Sequence, residues 1–180
     1  MAYLTDSPYF SEKVSLKNGR YEWRYESEKG IFLSYDVQYG SQYVYGDFNH
    51  DGLRDAAVIM SENSGGTAEW VTVAFLINDG EKFVHRTSGY LGDRTLVNSI
   101  HQKNGKVLVD MFVHQDRDCM AGPTNHVIGV FEYGGDGPWM EGKRIFSKSI
   151  FDPIILMLKT PSAWLNGPSW GYVLERCKIF

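Results

Sequence analysis

The residues Asp47-Phe48-Asn49-His50-Asp51-Gly52-Leu53-Arg54-Asp55 run directly into the apolar segment Ala56-Ala57-Val58-Ile59. A loop that coils this tightly and then enters a short β-branched and apolar run is the start of a buried strand, so the pattern points the chain toward a β architecture. The loop has the form D-x-N-x-D-G-x-x-D. Calcium is a hard cation that takes six to eight oxygen ligands, and alternate residues of a coiled loop can converge on one ion. Asp47, Asn49 and Asp51 hold the first, third and fifth positions, and Gly52 holds the sixth, where a sharp turn favours a residue without Cβ. Leu53 offers its backbone carbonyl at the seventh position and Asp55 a carboxylate at the ninth. The twelfth position, which carries a bidentate Glu in an EF-hand, is Val58, so this is not an EF-hand. The expected metal ligands are therefore Asp47, Asn49, Asp51, Leu53 and Asp55, the expected cofactor is Ca2+, and the remaining oxygens come from water or elsewhere in the chain. The plainer alternative is a turn rich in Asp, Asn and Gly that binds nothing.

The rest of the chain is punctuated like a β meander. Ten Phe, eleven Tyr and five Trp stand beside nineteen Gly, a combination that favours strands and turns. Tyr21, Trp23 and Tyr25 alternate with Arg20, Glu22, Arg24 and Glu26, the pattern of a half-buried strand. Residues 31–37 and 39–48 read as two further strands. Trp70 to Ile77 is apolar at nearly every position and is expected to have both faces covered. Asn78-Asp79-Gly80 and Asn104-Gly105 are hairpin turns, and Val107, Val109, Met111 and Val113 mark one face of the strand after the second. Residues 125–133 close the series. Asp152-Pro153 reads as the start of a short helix over residues 154–159. The expected fold is mainly β, an antiparallel meander that is sandwich-like or blade-like, with a short C-terminal helix. The expected organisation is a loose lead-in over 1–15, a β domain over 16–138 containing the calcium loop, and a C-terminal extension over 139–180 packed on the domain.

Composition narrows the function classes. A net charge of −4 with no long basic run argues against a nucleic-acid partner. No apolar stretch approaches the length of a membrane span. The first residues, Met1 to Asp6, lack the charged and apolar regions of a signal peptide. That fits a cytoplasmic protein or a mature exported one with a start Met added. Cys119 and Cys177 either form one long-range disulfide or remain thiols.

From Leu16 to Tyr133 the pattern resembles a family of small exported bacterial proteins without an established activity. The resemblance is carried by Leu16-Lys17-Asn18-Gly19-Arg20-Tyr21, Gly46 to Gly52, Asp55-Ala56-Ala57-Val58, Asn63-Ser64-Gly65-Gly66-Thr67, Leu91-Gly92-Asp93-Arg94, Val109-Asp110-Met111 and Pro123-Thr124. The central loop is similar to the cation loop of FG-GAP (integrin-type) repeats. The resemblance implies calcium and an extracytoplasmic location, periplasmic or secreted, with the signal peptide absent from this sequence. It implies no substrate. Members of that family carry a paired cysteine before the Pro-Thr, whereas here Cys119 stands alone before Met120-Ala121-Gly122.

The leading functional expectation is a calcium-binding domain with a structural or binding role, with no enzymatic activity readable and with a protein or carbohydrate ligand as its partner. One alternative is a carbohydrate-binding module using Trp139, Trp164 and Trp170 as a stacking platform. Another is a metal-dependent hydrolase built on His114, Asp116 and His126, with Asp118 and Cys119 nearby. Gly167-Pro168-Ser169-Trp170-Gly171 matches G-x-S-x-G, but a turn precedes it and a strand-like run follows, which is not the strand-to-helix context of a nucleophile elbow.

Overall fold

A computed structural model describes residues 2–4, 13–26, 28–30, 32–115, 118, 122–135 and 142–146. The described residues are mainly β, in antiparallel sheets, with no helix among them. In chain order the strands are β1 (Ala2–Leu4), β2 (Lys13–Ser15), β3 (Arg20–Glu26), β4 (Phe32–Gly46), β5 (Asp55–Asn63), β6 (Trp70–Asn78), β7 (Phe83–Asp93), β8 (Leu96–Lys103), β9 (Lys106–Val113), β10 (Asn125–Glu132) and β11 (Gly142–Phe146). They form a five-stranded sheet in the order β3-β4-β5-β6-β7, a four-stranded sheet in the order β11-β10-β9-β8, and the pair β1-β2.

The turns do what their residues allow. Asn104 and Gly105 both have positive φ, the requirement of the two-residue turn whose twist matches a hairpin. Asn18 and Gly19 repeat this geometry, and Lys17 and Arg20 exchange backbone hydrogen bonds of 2.9 and 3.1 Å across them. Asp79 receives the amides of Glu81 and Lys82 and so shapes the turn between β6 and β7.

Period-two alternation sorts the side chains of the central strands. Ala57 and Ile59 of β5, with Val71, Val73, Phe75 and Ile77 of β6, face Val107, Val109, Met111 and Val113 of β9 and Val127 and Phe131 of β10, giving one core shared by the two larger sheets. The opposite face of the five-stranded sheet carries Tyr35, Val37, Ala56, Val58, Met60, Ala74 and Leu76, which pack with Val14 and Leu16 into a second core. That is why Val71 to Ile77 is buried at every position, as the continuous apolar run predicts. Glu62 lies fully buried on this second face, where it accepts a hydrogen bond from the Tyr35 hydroxyl.

Several expectations are corrected. The N-terminal fifteen residues are not simply a loose lead-in: β1 and β2 pair, and Val14 is buried. Residues 31–37 and 39–48 are not two strands. Residues 32–46 form the single long β4, which runs through Gln38 without a break and shifts register as a bulge between Tyr39 and Tyr43, while Asp47 and Phe48 belong to the loop that follows. β3 is an edge strand whose aromatic face is only thinly covered, with Trp23 37% and Tyr25 50% exposed. β11 was not anticipated. It adds to β10 as an edge, so the sheet continues beyond residue 138. The expected helix over 154–159 and the G-x-S-x-G stretch lie outside the described residues.

Candidate functional site: the Asp47–Asp55 loop

The loop joins β4 to β5 and is anchored by Phe48, which is buried and meets Phe75 edge-on at 5.1 Å between ring centroids. Gly46 lets the anchor in: a Cβ there would lie 2.9 Å from the Phe48 ring and 3.0 Å from Gln102. His50 and Gly52 both take positive φ, 62° and 84°, so the chain doubles back twice within three residues.

The side chains of the loop fold inward onto its own amides. Asp47 accepts from the amides of Asp51 and Gly52, both at 3.1 Å. Asn49 Oδ1 accepts from the Asp51 amide at 3.2 Å, and Asp51 Oδ1 accepts from the Leu53 amide at 2.7 Å. The Asn49 side-chain amide donates to the other Asp51 oxygen at 2.7 Å. An ionised carboxylate has about four lone-pair sites, so one N–H per oxygen leaves acceptor capacity on Asp47 and Asp51.

Asp55 is placed differently from the other expected ligands. It is fully buried, and its two oxygens accept from the backbone amides of Phe48 at 2.8 Å and Asn78 at 2.9 Å. The Asn78 side chain returns a bond to the Arg54 carbonyl at 3.3 Å. Asp55 thus clasps both ends of the loop to the end of β6. Arg54 lies over the Tyr45 ring, 3.9 Å from its centroid, a cation–π contact at the mouth of the loop. Among the described residues, no three or more His, Cys, Asp and Glu side chains gather into a metal-holding group.

The residues behind the other expectations are scattered. His126 pairs with Asp110 at 3.0 Å, and Asn98 donates to the same oxygen at 2.7 Å. His114 sits elsewhere, near Asp93 and Asp118, with its Nε2 buried and without a hydrogen-bond partner. Asp118 accepts from the amides of Gln115 and Thr124 and from the Thr124 hydroxyl, and these bonds, led by the hydroxyl, hold its carboxyl below the usual range. Burial pushes the Asp93 carboxyl up, but the Arg94 side chain, the Glu69 amide and His114 together bring it below the ordinary value. Asp116, Cys119, Cys177, Trp139, Trp164 and Trp170 lie outside the described residues.

The sequence reading did not anticipate the aromatic ladder beside the loop. Tyr39, Tyr43, Tyr45 and Phe83 form a partly exposed row on the outer face of the five-stranded sheet, with ring centroids 6.5, 5.4 and 6.4 Å apart. The Tyr43 and Tyr45 planes cross at 69°, so the row is ridged rather than flat. The Trp23 and Tyr25 rings are stacked nearly parallel, their planes 7° apart in angle and their centroids 6.1 Å apart. The signal was the alternation of aromatics along β4, interrupted by the bulge. No family model, curated protein or solved structure matches this chain.

Proposed function

We propose that this protein is a calcium-binding extracytoplasmic β domain with a structural or binding role, its ion held at the Asp47–Leu53 loop. The observation that supports this reading is the orientation of the Asp47, Asn49 and Asp51 side chains by three consecutive loop amides. Hard oxygen donors are thereby held at alternate positions around a left-handed turn. In this reading Asp47, Asn49, Asp51 and the Leu53 carbonyl hold the ion with water, and Asp55 keeps the loop closed from beneath. Calcium supplies charge neutralisation for the loop and lowers its freedom. A set with few carboxylates and no bidentate Glu is weak, in the ~0.1–1 mM range of extracellular modules, and so is filled only where calcium is abundant. That supports the extracytoplasmic placement.

The test is calorimetric titration with calcium alongside thermal melts in calcium and in chelator. At tenfold excess over Kd, binding to the folded state adds roughly 1.4 kcal/mol. The melting temperature should rise by a few degrees, and Asp51→Ala should remove the rise. Superimposable melts together with no heat at millimolar calcium would show the loop to be only a turn.

A carbohydrate-binding role is favoured by one separate observation, the exposed Trp23–Tyr25 pair with its rings parallel. Tryptophan fluorescence during titration with a soluble polysaccharide tests it. An unchanged spectrum in both wild type and Trp23→Ala counts against it.

A further inference from the structure

β3 leaves one edge of the five-stranded sheet open. The Gly19 carbonyl accepts from the Tyr39 amide at 2.7 Å, so strand alternation turns the backbone groups of Tyr21, Trp23 and Tyr25 toward β4. Those of Arg20, Glu22, Arg24 and Glu26 point the other way. Arg20 gives both of its groups to Lys17, at 2.9 and 3.1 Å. Beyond that single bridge, no strand among the described residues pairs with the outer side of β3. Glu22, Arg24 and Glu26 therefore carry backbone N–H and C=O groups along the edge, and every residue of β3 except Tyr21 is exposed.

An open strand edge is a template for another chain, and proteins often blunt such an edge with charge. The charges on β3 alternate in sign instead. The run Arg20-Tyr21-Glu22-Trp23-Arg24-Tyr25-Glu26 is complementary to its own reverse about Trp23. Two antiparallel copies centred on Trp23 set Glu22 opposite Arg24 of the second copy, Arg20 opposite Glu26, and Tyr21 opposite Tyr25. The outward backbone groups belong to alternate residues, so the register can slip only by two. Such a slip sets Arg24 against Arg24 or Glu22 against Glu22, and a parallel alignment in register sets every charge against its like. Like charges directly opposite each other destabilise a strand pair, whereas opposite charges and aromatic pairs support it. Of the registers that overlap most of the strand, only the central antiparallel one satisfies both the charges and the hydrogen bonds.

We infer that β3 is the interface of a two-fold dimer of this chain, formed when β3 of a second copy adds antiparallel to the open edge. Glu22 and Arg24 carry the ladder. The amide of Glu22 donates to the Arg24 carbonyl of the second copy, the Arg24 amide of that copy donates back, and the two-fold axis repeats the exchange. The Lys17–Arg20 bridge stops the ladder at either end, so the contact is short and the association weak. Both copies use the same edge, which closes the assembly at two. Within one chain Glu22 already pairs with Arg24 and lies 3.8 Å from Arg20, but exposed pairs of this kind contribute little. The second strand sets an opposite charge directly across from each of them.

The experiment is sedimentation velocity of the full chain over a range of concentrations, with chelator present so that calcium plays no part. The wild-type mass should climb from 20.5 kDa toward twice that value as concentration rises. Arg24→Glu and Glu22→Arg should each weaken self-association by about tenfold or more, because each sets like charges opposite one another twice. An equimolar mixture of the two variants should associate again, and so should the double variant Glu22→Arg/Arg24→Glu, since both restore opposite signs across the axis. Circular dichroism and melting curves confirm that each variant folds. A wild type that stays monomeric throughout would overturn the inference. Single variants that dimerise as the wild type does, or a mixture that stays monomeric, would overturn it too.

Discussion

The carboxylate of Asp55 accepts from the Asn78 amide at 2.9 Å, a bond spanning 23 residues that ties the loop before β5 to the end of β6. Its second oxygen accepts from the Phe48 amide at 2.8 Å. One buried side chain therefore satisfies amides from two turns. Asp55→Asn should be strongly destabilising, because an amide nitrogen would face a backbone N–H. Loss of a buried, charge-assisted pair of bonds is expected to cost about 3–5 kcal/mol. Urea denaturation measures this, and a cost below about 1 kcal/mol would show that Asp55 does not clasp the loop. Calcium should not restore the loss.

Gly52 gives a cleaner probe of the loop itself. Its φ is 84°, and nothing lies within 4 Å of a Cβ placed there. Gly52→Ala therefore carries only the conformational cost of the left-handed region, about 1–2 kcal/mol, and Gly52→Asn should cost less. Both variants should fold with native spectra, and chemical denaturation gives the ranking. Equal stability of all three would mean that the turn relaxes freely.

Phe131, on β10, packs against Gly129 two residues earlier on its own strand and against Gly89 on β7 of the other large sheet. A Cβ at Gly89 would meet its ring at 2.6 Å, and one at Gly129 would meet it at 2.7 Å. Gly89→Ala should cost about 1–3 kcal/mol by overpacking, and Phe131→Ala about 3–5 kcal/mol by emptying the core. The two changes share one space, so the double variant should be less unstable than the sum. Strict additivity in a double-mutant cycle would refute this contact.

Asp118 predicts an acid limb. Its carboxyl is held below the ordinary value by the Thr124 hydroxyl and by the amides of Gln115 and Thr124. A folded-state value below the unfolded one means the contribution is complete above the usual carboxylate range, near pH 4, and is lost as pH falls through the depressed value. The urea midpoint of the wild type should therefore fall more steeply below about pH 4 than that of Asp118→Asn. Parallel acid limbs would remove Asp118 from the account.

Much of the fold is determined by local chemistry and so was legible in the chain. Asn104-Gly105 accepts positive φ at both turn positions, Val107 to Val113 alternates on one face, and Val71 to Ile77 is apolar throughout. The spacing of Asp47, Asn49 and Asp51 around Gly52 likewise marks the loop, because those bonds close within six residues. Tertiary structure alone decided the rest. Asp55 repeats the residue type of Asp47 and Asp51, yet its oxygens go to a different task because β6 brings the Asn78 amide to it. The long β4, the bulge that turns Gln42 inward, and the addition of β11 all depend on which strand lies alongside. A strand's register and its bulges are set by hydrogen bonds to a partner distant in sequence, and local alternation carries no information about where that partner slips.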